Sequence, residues 1–172
     1  MIGMVLVTHG RLAEELRLAM EHVMGPQKNV ACLCIGPEDN AENRREELRA
    51  RVAEVRQGDG IVVLTDMYGG TPANLATSML EEGDVEVVAG VNLPLLVKLA
   101  KLRGVEPMHQ AVQHAVTAAR KYLGTVAELR GTLPYAARSE EGTAQGNTQG
   151  NTQGTAQGTA QGIPHAAQGG SR

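Results

Sequence analysis

The chain has 172 residues, of which 42% are hydrophobic and 20% charged, and its 16 Lys and Arg against 19 Asp and Glu give a formal net charge of −3. This composition is typical of a globular domain and excludes a wholly disordered chain, a collagen and a coiled coil. The mild acidity, the absence of a basic cluster and a total of three aromatic residues argue against nucleic acid as a partner.

Short apolar runs alternate with segments of helical periodicity over the first 130 residues. The runs predict strands over 2–8, 30–35, 61–65 and 85–89. Helical spacing of apolar residues predicts a helix over 12–24, and a capping side chain at Asp39 or Asn40 predicts one that ends at Gln57. Three more helices are predicted to begin at Thr71-Pro72, Pro94 and Pro107, because proline is favoured in the first turn. The weaker pattern of Thr125–Leu129 suggests a short last strand.

Strands that alternate with helices across short loops predict an α/β fold with a parallel sheet. Four such strand–helix units fit a small doubly wound, flavodoxin-like domain with strand order 2-1-3-4. In that order the first and third strands are neighbours, and the topological switch lies between them. Ligands and chemistry gather at the carboxyl ends of the strands that flank such a switch.

The last third of the chain differs in composition from the rest. Between Gly142 and Gly162 a glycine recurs at every fourth position, with Thr, Ala, Gln and Asn between. Such a segment cannot bury enough apolar surface to offset its chain entropy. We therefore predict a folded domain over 1–130 and a flexible tail over 131–172. Because no apolar run is long enough to span a membrane and no segment marks export, we expect a cytoplasmic protein.

Cys32 and Cys34 are the only cysteines and lie two apart in a predicted strand, on the same face. Neighbours at this spacing are poorly placed for a disulfide, and two thiolates are too few for a zinc site. We expect two free thiols that pack as small apolar side chains, and no metal site.

An imidazole and a carboxylate are predicted to meet at the switch. His9 follows the first strand and Asp66 follows the third, although they are 57 positions apart in sequence. Each residue alone is also compatible with an ordinary loop or capping role. Together, a carboxylate that accepts the proton of one ring nitrogen leaves the other nitrogen with a free lone pair. We predict that His9 is a nucleophile and that Asp66 orients it.

The residues after Asp66 have the composition of a phosphate-binding loop. Gly69 and Gly70 let backbone amides turn toward an anion, and Thr71-Pro72 opens a helix whose N-terminus favours negative charge. We predict that Gly69, Gly70, Thr71 and Ala73 bind phosphate. Asn92 ends the fourth strand at the same edge, and it either holds this loop or shapes a turn.

Three segments at these positions resemble the enzyme IIA component of the mannose family of the bacterial phosphoenolpyruvate-dependent sugar phosphotransferase system (PTS). They are VLVTHGRLAEEL (5–16), TDMYGGTPANLA (65–76) and AGVNLPLLVKL (89–99), and the resemblance covers roughly 1–125. It implies that His9 is phosphorylated, that Asp66 bonds its ring and that Thr71 lies beside the phosphoryl group. Tyr68 stands where the family commonly has tryptophan.

The resemblance also implies partners and an assembly. The phosphoryl donor would be the phosphocarrier protein HPr, and the acceptor a IIB component that serves the membrane IIC/IID permease. No cofactor is implied. A homodimer would exchange a last antiparallel strand, for which Thr125–Leu129 is the candidate.

Two alternatives differ from a sugar-transport relay. The chain could be a regulatory phosphoprotein whose His9 phosphorylation state signals to a partner protein. A histidine phosphatase or mutase also places His-Gly after its first strand, but such enzymes have Arg before the His, where this chain has Thr8. The sequence therefore favours a phosphocarrier over a phosphatase.

Overall fold

In a computed structural model, which describes residues 1–131, strands and helices alternate along the chain. The strands are β1 (Gly3–His9), β2 (Val30–Ile35), β3 (Ile61–Thr65) and β4 (Val85–Ala89). The helices are α1 (Leu12–Met24), α2 (Ala41–Val55), α3 (Thr71–Thr77), α4 (Leu93–Leu102), α5 (Met108–Lys121) and α6 (Val126–Leu129), with a 3-10 turn at Leu80–Glu82 between α3 and β4.

The four strands form one parallel sheet in the order β2-β1-β3-β4, which confirms the predicted fold class and strand order. The central register places Leu6 of β1 opposite Cys32 of β2 on one side and Leu64 of β3 on the other. β1 and β3 are therefore adjacent, and their carboxyl ends share one edge of the sheet.

Helices cover both faces of the sheet, so the central strands are apolar up to the Thr8-His9 and Thr65 at their carboxyl ends. Met4 and Leu6 of β1 pack into a core with α1, α4 and α5, whereas Val5 and Val7 pack into a second core with α2 and α3. All five residues of β3 are buried. Side chains alternate between two buried faces, which explains why these strands are uninterrupted apolar runs.

The N-cap of α2 is Asn40 and not Asp39, the other candidate from the sequence. The Asn40 side chain accepts hydrogen bonds from the backbone N–H groups of Glu42 and Asn43, so Asn40 is the N-cap. The Asp39 carboxylate instead accepts from the N–H of Gly36 and pairs with Arg44.

Thr125–Leu129 is helical, which corrects the predicted last strand. The Thr125 hydroxyl accepts a hydrogen bond from the Glu128 N–H at 3.3 Å, and the Glu128 carboxylate accepts one from the Thr125 N–H at 2.8 Å. This reciprocal capping box satisfies backbone donors within a single helical turn, so local bonds hold the segment in a helix. Strand exchange by this segment therefore finds no support in the structure, and homodimerisation stays a prediction.

The predicted tail, 131–172, lies outside the described residues apart from Gly131. No helix within residues 1–131 is both long enough and apolar enough to cross a membrane.

Candidate functional site

His9 and Asp66 meet at the carboxyl edge of the sheet. His9 is the last residue of β1, and Asp66 directly follows the last residue of the neighbouring strand β3. Parallel strands end on the same side, so the two side chains emerge next to each other despite their separation in sequence. The fold thus produces the juxtaposition that the sequence predicts.

The Asp66 carboxylate holds the His9 residue at two points. Its Oδ2 lies 2.8 Å from the ring Nδ1 and 3.1 Å from the backbone nitrogen of His9, while Oδ1 accepts the N–H of Met67 at 3.1 Å. An ionised carboxylate can only accept, so Nδ1 carries the proton. The other ring nitrogen, Nε2, is left with its lone pair.

Exposure differs between the two partners. The His9 side chain is 47% exposed, whereas that of Asp66 is 14% exposed. The imidazole is open to solvent and to an approaching protein, and the carboxylate is sheltered behind it. This arrangement suits a ring that reacts and a carboxylate that orients it.

The pKa of Asp66 is lowered from its ordinary value. Burial is the largest influence and acts to raise this pKa, but the hydrogen bonds from the ring and backbone of His9, the charge of His9 and the Met67 N–H together outweigh it. Asp66 is therefore an anion at neutral pH and an acceptor for the ring proton.

Gly70 packs against the edge of the His9 ring. A Cβ placed on Gly70 would lie 2.7 Å from Cε1 and 3.0 Å from Nε2 of His9. Its φ of −89° is open to any residue, so this glycine is required by the close approach and not by the backbone conformation. The loop and the imidazole thus fit together without space for a side chain.

The loop continues into α3 with amides that point away from the helix. Gly69 has a φ of +87°, which favours glycine, and Gly70 is the N-cap of α3. In the first turn the Thr71 and Ala73 N–H groups have no intrahelical acceptor, because helical bonding begins with Asn74 N–H to Gly70 C=O at 3.0 Å. Thr71 is exposed, whereas Ala73 is buried.

A protein-family model described as "PTS system fructose IIA component" matches residues 3–117. The chain belongs to this IIA family. The assignment confirms the resemblance drawn from the three sequence segments, and it makes the chain a component of the phosphotransferase system.

Curated relatives are similar over the same region. The PTS mannose-specific EIIAB component of Escherichia coli K12 is 36% identical over 107 residues, which are 62% of this chain and 33% of that protein. The PTS fructose-specific EIIA component of Bacillus subtilis 168 is 26% identical over 104 residues, 60% of this chain and 71% of that one. The chain thus spans about a third of the length of the E. coli relative.

Solved structures share the fold of this IIA chain. An EIIA component from Streptococcus agalactiae superposes with a TM-score of 0.68 at 25% identity and covers 74% of this chain and 99% of its own. A mannose/sorbose-specific IIA subunit from Enterococcus faecalis superposes with a TM-score of 0.66 at 26% identity. The match covers 77% of this chain and 96% of that subunit.

Asn92, for which the sequence left two roles open, is a structural cap in this IIA chain. Its Oδ1 accepts the N–H of Leu95 at 3.0 Å, and its Nδ2 donates to the C=O of Ala119 at 3.3 Å. Asn92 therefore fastens the start of α4 to the end of α5. The loop after β3 is not among its hydrogen-bond partners.

Exposed apolar side chains follow His9 and Asp66 closely in the sequence. Leu12, Met67 and Tyr68 are 43%, 55% and 87% exposed. Leu12 begins α1, and Met67 and Tyr68 directly follow Asp66, so all three lie in the segments that leave the edge of the sheet carrying His9; we call them the rim. Within residues 1–131 the structure holds no cluster of three His, Cys, Asp or Glu side chains that could ligate a metal.

Proposed function

We propose that this IIA chain is a phosphohistidine carrier, which accepts a phosphoryl group from phospho-HPr on His9 and passes it to a IIB component. The observation that carries the proposal is the 2.8 Å hydrogen bond between His9 Nδ1 and Asp66 Oδ2. It fixes the tautomer in which Nε2 is the free nucleophile, on a ring that is half exposed. Family membership supports the same chemistry.

The transfer replaces one phosphorus–nitrogen bond with another. The Nε2 lone pair attacks phosphorus in line, and the bond from phosphorus to the donor imidazole breaks with its electron pair returning to that imidazole. The His9 ring gains positive charge as the new bond forms. Asp66 stabilises this charge through the Nδ1–H hydrogen bond and keeps the ring from rotating.

The loop after β3 supplies donors for the equatorial phosphoryl oxygens. Gly70 lies against the Cε1–Nε2 edge of the ring, and the backbone N–H groups of Gly69, Gly70, Thr71 and Ala73, with the Thr71 hydroxyl, would be the donors of this loop. Preformed donors aimed at developing negative charge lower the barrier without reorganisation. The reaction needs no metal or cofactor, since no polyphosphate has to be neutralised.

HPr and IIB would use the same docking rim in turn. Both must bring a phosphoryl-transferring side chain to Nε2, and the exposed Leu12, Met67 and Tyr68 offer apolar surface for that contact. Through IIB the phosphoryl group would reach a IIC/IID permease. A phosphorylated chain that donates to no IIB would instead serve as a regulatory phosphoprotein.

Phosphorylation by the upstream proteins tests the proposal. Purified protein is incubated with phosphoenolpyruvate, enzyme I and HPr, and acid-labile phosphate is measured on the wild type, on His9→Ala and on His22→Ala. His22 is an exposed histidine of α1 and serves as the matched control. We expect label on the wild type and on His22→Ala and none on His9→Ala. Label that survives in His9→Ala, or an unlabelled wild type beside an active control acceptor, would contradict the proposal.

A further inference from the structure

A long groove runs along α4 and α5, apart from the His9 site. Its volume is 780 Å³, and neither His9, Asp66 nor any residue of the loop after β3 lines it. Its apolar lining includes Val23, Leu93, Val97 and Ala118, and the aromatic ring of Tyr122 lies at the end of α5.

Three lysines line this groove from two helices. Lys98 and Lys101 are three residues apart on α4 and so lie on the same side of that helix, and Lys121 faces them from the last turn of α5. We call this feature, with its apolar floor, the lysine groove. Lysines and apolar side chains together line the groove and give it an amphipathic character.

The positive charge of the lysine groove is not neutralised within the described part of the chain. None of the three lysines forms an ion pair there, and Lys121 instead lies 5.9 Å from the centroid of the Tyr122 ring. The acidic residue of the lining, Glu106, is already bonded at 2.8 Å to His114 Nδ1. The groove therefore carries a local excess of positive charge, although the whole chain has a net charge of −3.

We propose that the lysine groove binds a small molecule that has an apolar body and an acidic group. The volume lies within the roughly 300–1,000 Å³ range of small-molecule sites. The apolar body would cover Val97 and its neighbours, and the acidic group would pair with the ammonium groups of Lys98, Lys101 and Lys121. Lysines without an ion-pair partner are stabilised by a bound anion, and an apolar body on that anion strengthens the attraction because it excludes water from the charged groups.

Anionic and neutral probes of the same shape test this assignment. The full chain is titrated with 1-anilinonaphthalene-8-sulfonate, whose fluorescence reports binding, and in parallel with the uncharged N-phenyl-1-naphthylamine. Decanoate and decanol are then compared as competitors. Lys98→Gln/Lys101→Gln removes two charges from the groove, and Lys28→Gln/Arg49→Gln removes the same charge from exposed positions outside it.

We expect saturable binding of the sulfonate that weakens about tenfold in Lys98→Gln/Lys101→Gln and stays unchanged in the control pair. Decanoate should displace the dye and decanol should not, and amide NMR shifts should move along α4 and α5. His9→Ala should bind the dye like the wild type, since the proposal is independent of the phosphocarrier function.

Three outcomes would overturn the assignment. Equal loss of binding in both charge variants would show a general effect of net charge. Shifts confined to Leu12, Met67 and Tyr68 would place the dye at the His9 rim. A change in sedimentation mass in Lys98→Gln/Lys101→Gln, with dye binding intact, would make the groove an interface between copies of the chain.

Discussion

Gly70 and the imidazole of His9 are in such close contact that the loop has no room for a methyl group. A Cβ on Gly70 would lie 2.7 Å from Cε1 and 3.0 Å from Nε2 of the ring. The ring is also held from its other side by the 2.8 Å hydrogen bond to Asp66. The imidazole is thus bonded to a carboxylate at Nδ1 and lies against the loop backbone at Cε1 and Nε2.

Gly70→Ala should disturb the site while leaving the fold intact. The φ of −89° at Gly70 accepts alanine, so the methyl group must push the His9 ring away from the loop. A displacement of about 1 Å can lower a reaction rate roughly 100-fold. We expect a loss of that order in the rate of His9 phosphorylation, with a melting temperature close to that of the wild type.

Gly104→Ala is the matched control for this variant. Its φ lies outside the positive region, and a Cβ there meets nothing within 4 Å. Gly69→Ala provides a contrast, since its φ of +87° predicts a destabilisation of about 1–2 kcal/mol without a clash with the ring. A Gly70→Ala protein that is phosphorylated at the wild-type rate would refute the positioning role of this glycine.

Asp66→Asn should slow phosphorylation while keeping the size of the side chain. The amide removes the negative charge that stabilises the ring during transfer and can present its NH2 group to Nδ1, which favours the wrong tautomer. A rate loss of roughly 100-fold is expected. Single-turnover transfer from phospho-HPr measures it, and Asp39→Asn is the control because Asp39 bonds Gly36 and Arg44 instead.

The same carboxylate should make stability depend on pH. The pKa of Asp66 is lower in the folded chain than its ordinary value of about 4, despite burial, because the His9 and Met67 bonds favour the anion. Its contribution to stability is therefore present above pH 4 and is lost as the pH falls through the lower folded pKa. Urea unfolding midpoints of the wild type and Asp66→Asn should converge between pH 5 and pH 2. A constant difference across this range would contradict the linkage.

The strands and the His9–Asp66 pair could be predicted because their signals are local and repeated. Uninterrupted apolar runs mark β1 and β3, and the strand order then brings the residues that follow them to one edge. The contact between Gly70 and His9 was not predictable, since it depends on a through-space distance that no pattern encodes. The role of Asn92 stayed open for the same reason, because its partner Ala119 is 27 residues away.

The error at Thr125–Leu129 has a different physical origin. The segment contains a T-x-x-E capping signature, which favours a helix start. Its weak apolar pattern suggests a strand instead, and the family resemblance adds that this strand is exchanged. In the described chain the capping bonds hold the segment in a helical turn. At this position the capping signature thus predicts the structure correctly, whereas the expected strand was wrong.

Arg103 is a buried cation that the sequence did not single out. It is 3% exposed at the end of α4, and its guanidinium donates to four oxygens, those of the Ile2, Lys28 and Asn29 carbonyls and of the Gln27 side chain. Desolvation lowers its pKa, and these acceptors offset the cost of burial. Arg103 thereby joins the start of β1, the loop before β2 and the end of α4.

Arg103→Met should destabilise the domain by about 2–4 kcal/mol, because it removes the four hydrogen bonds that the buried guanidinium donates. Arg103→Lys should recover part of the loss, since an ammonium can still donate to some of these oxygens. Urea unfolding of both variants measures the effect. Arg49→Met, at an exposed position of α2, should stay within about 0.5 kcal/mol of the wild type. A similar loss for Arg49→Met and Arg103→Met would show that the buried hydrogen bonds are not the cause.

Cys32 should be inert to alkylation in the folded protein. Burial raises the pKa of its thiol to about 11, and the nearby Arg17 opposes this only in part. At pH 8 about 0.1% of such a thiol is ionised, and the thiolate is the reactive form. Iodoacetamide followed by peptide mass spectrometry should therefore label Cys32 slowly in the native state and rapidly in urea, with Cys34→Ser removing the other thiol. Native labelling of Cys32 at the rate of a free cysteine would show that the strand opens and that its burial does not protect it.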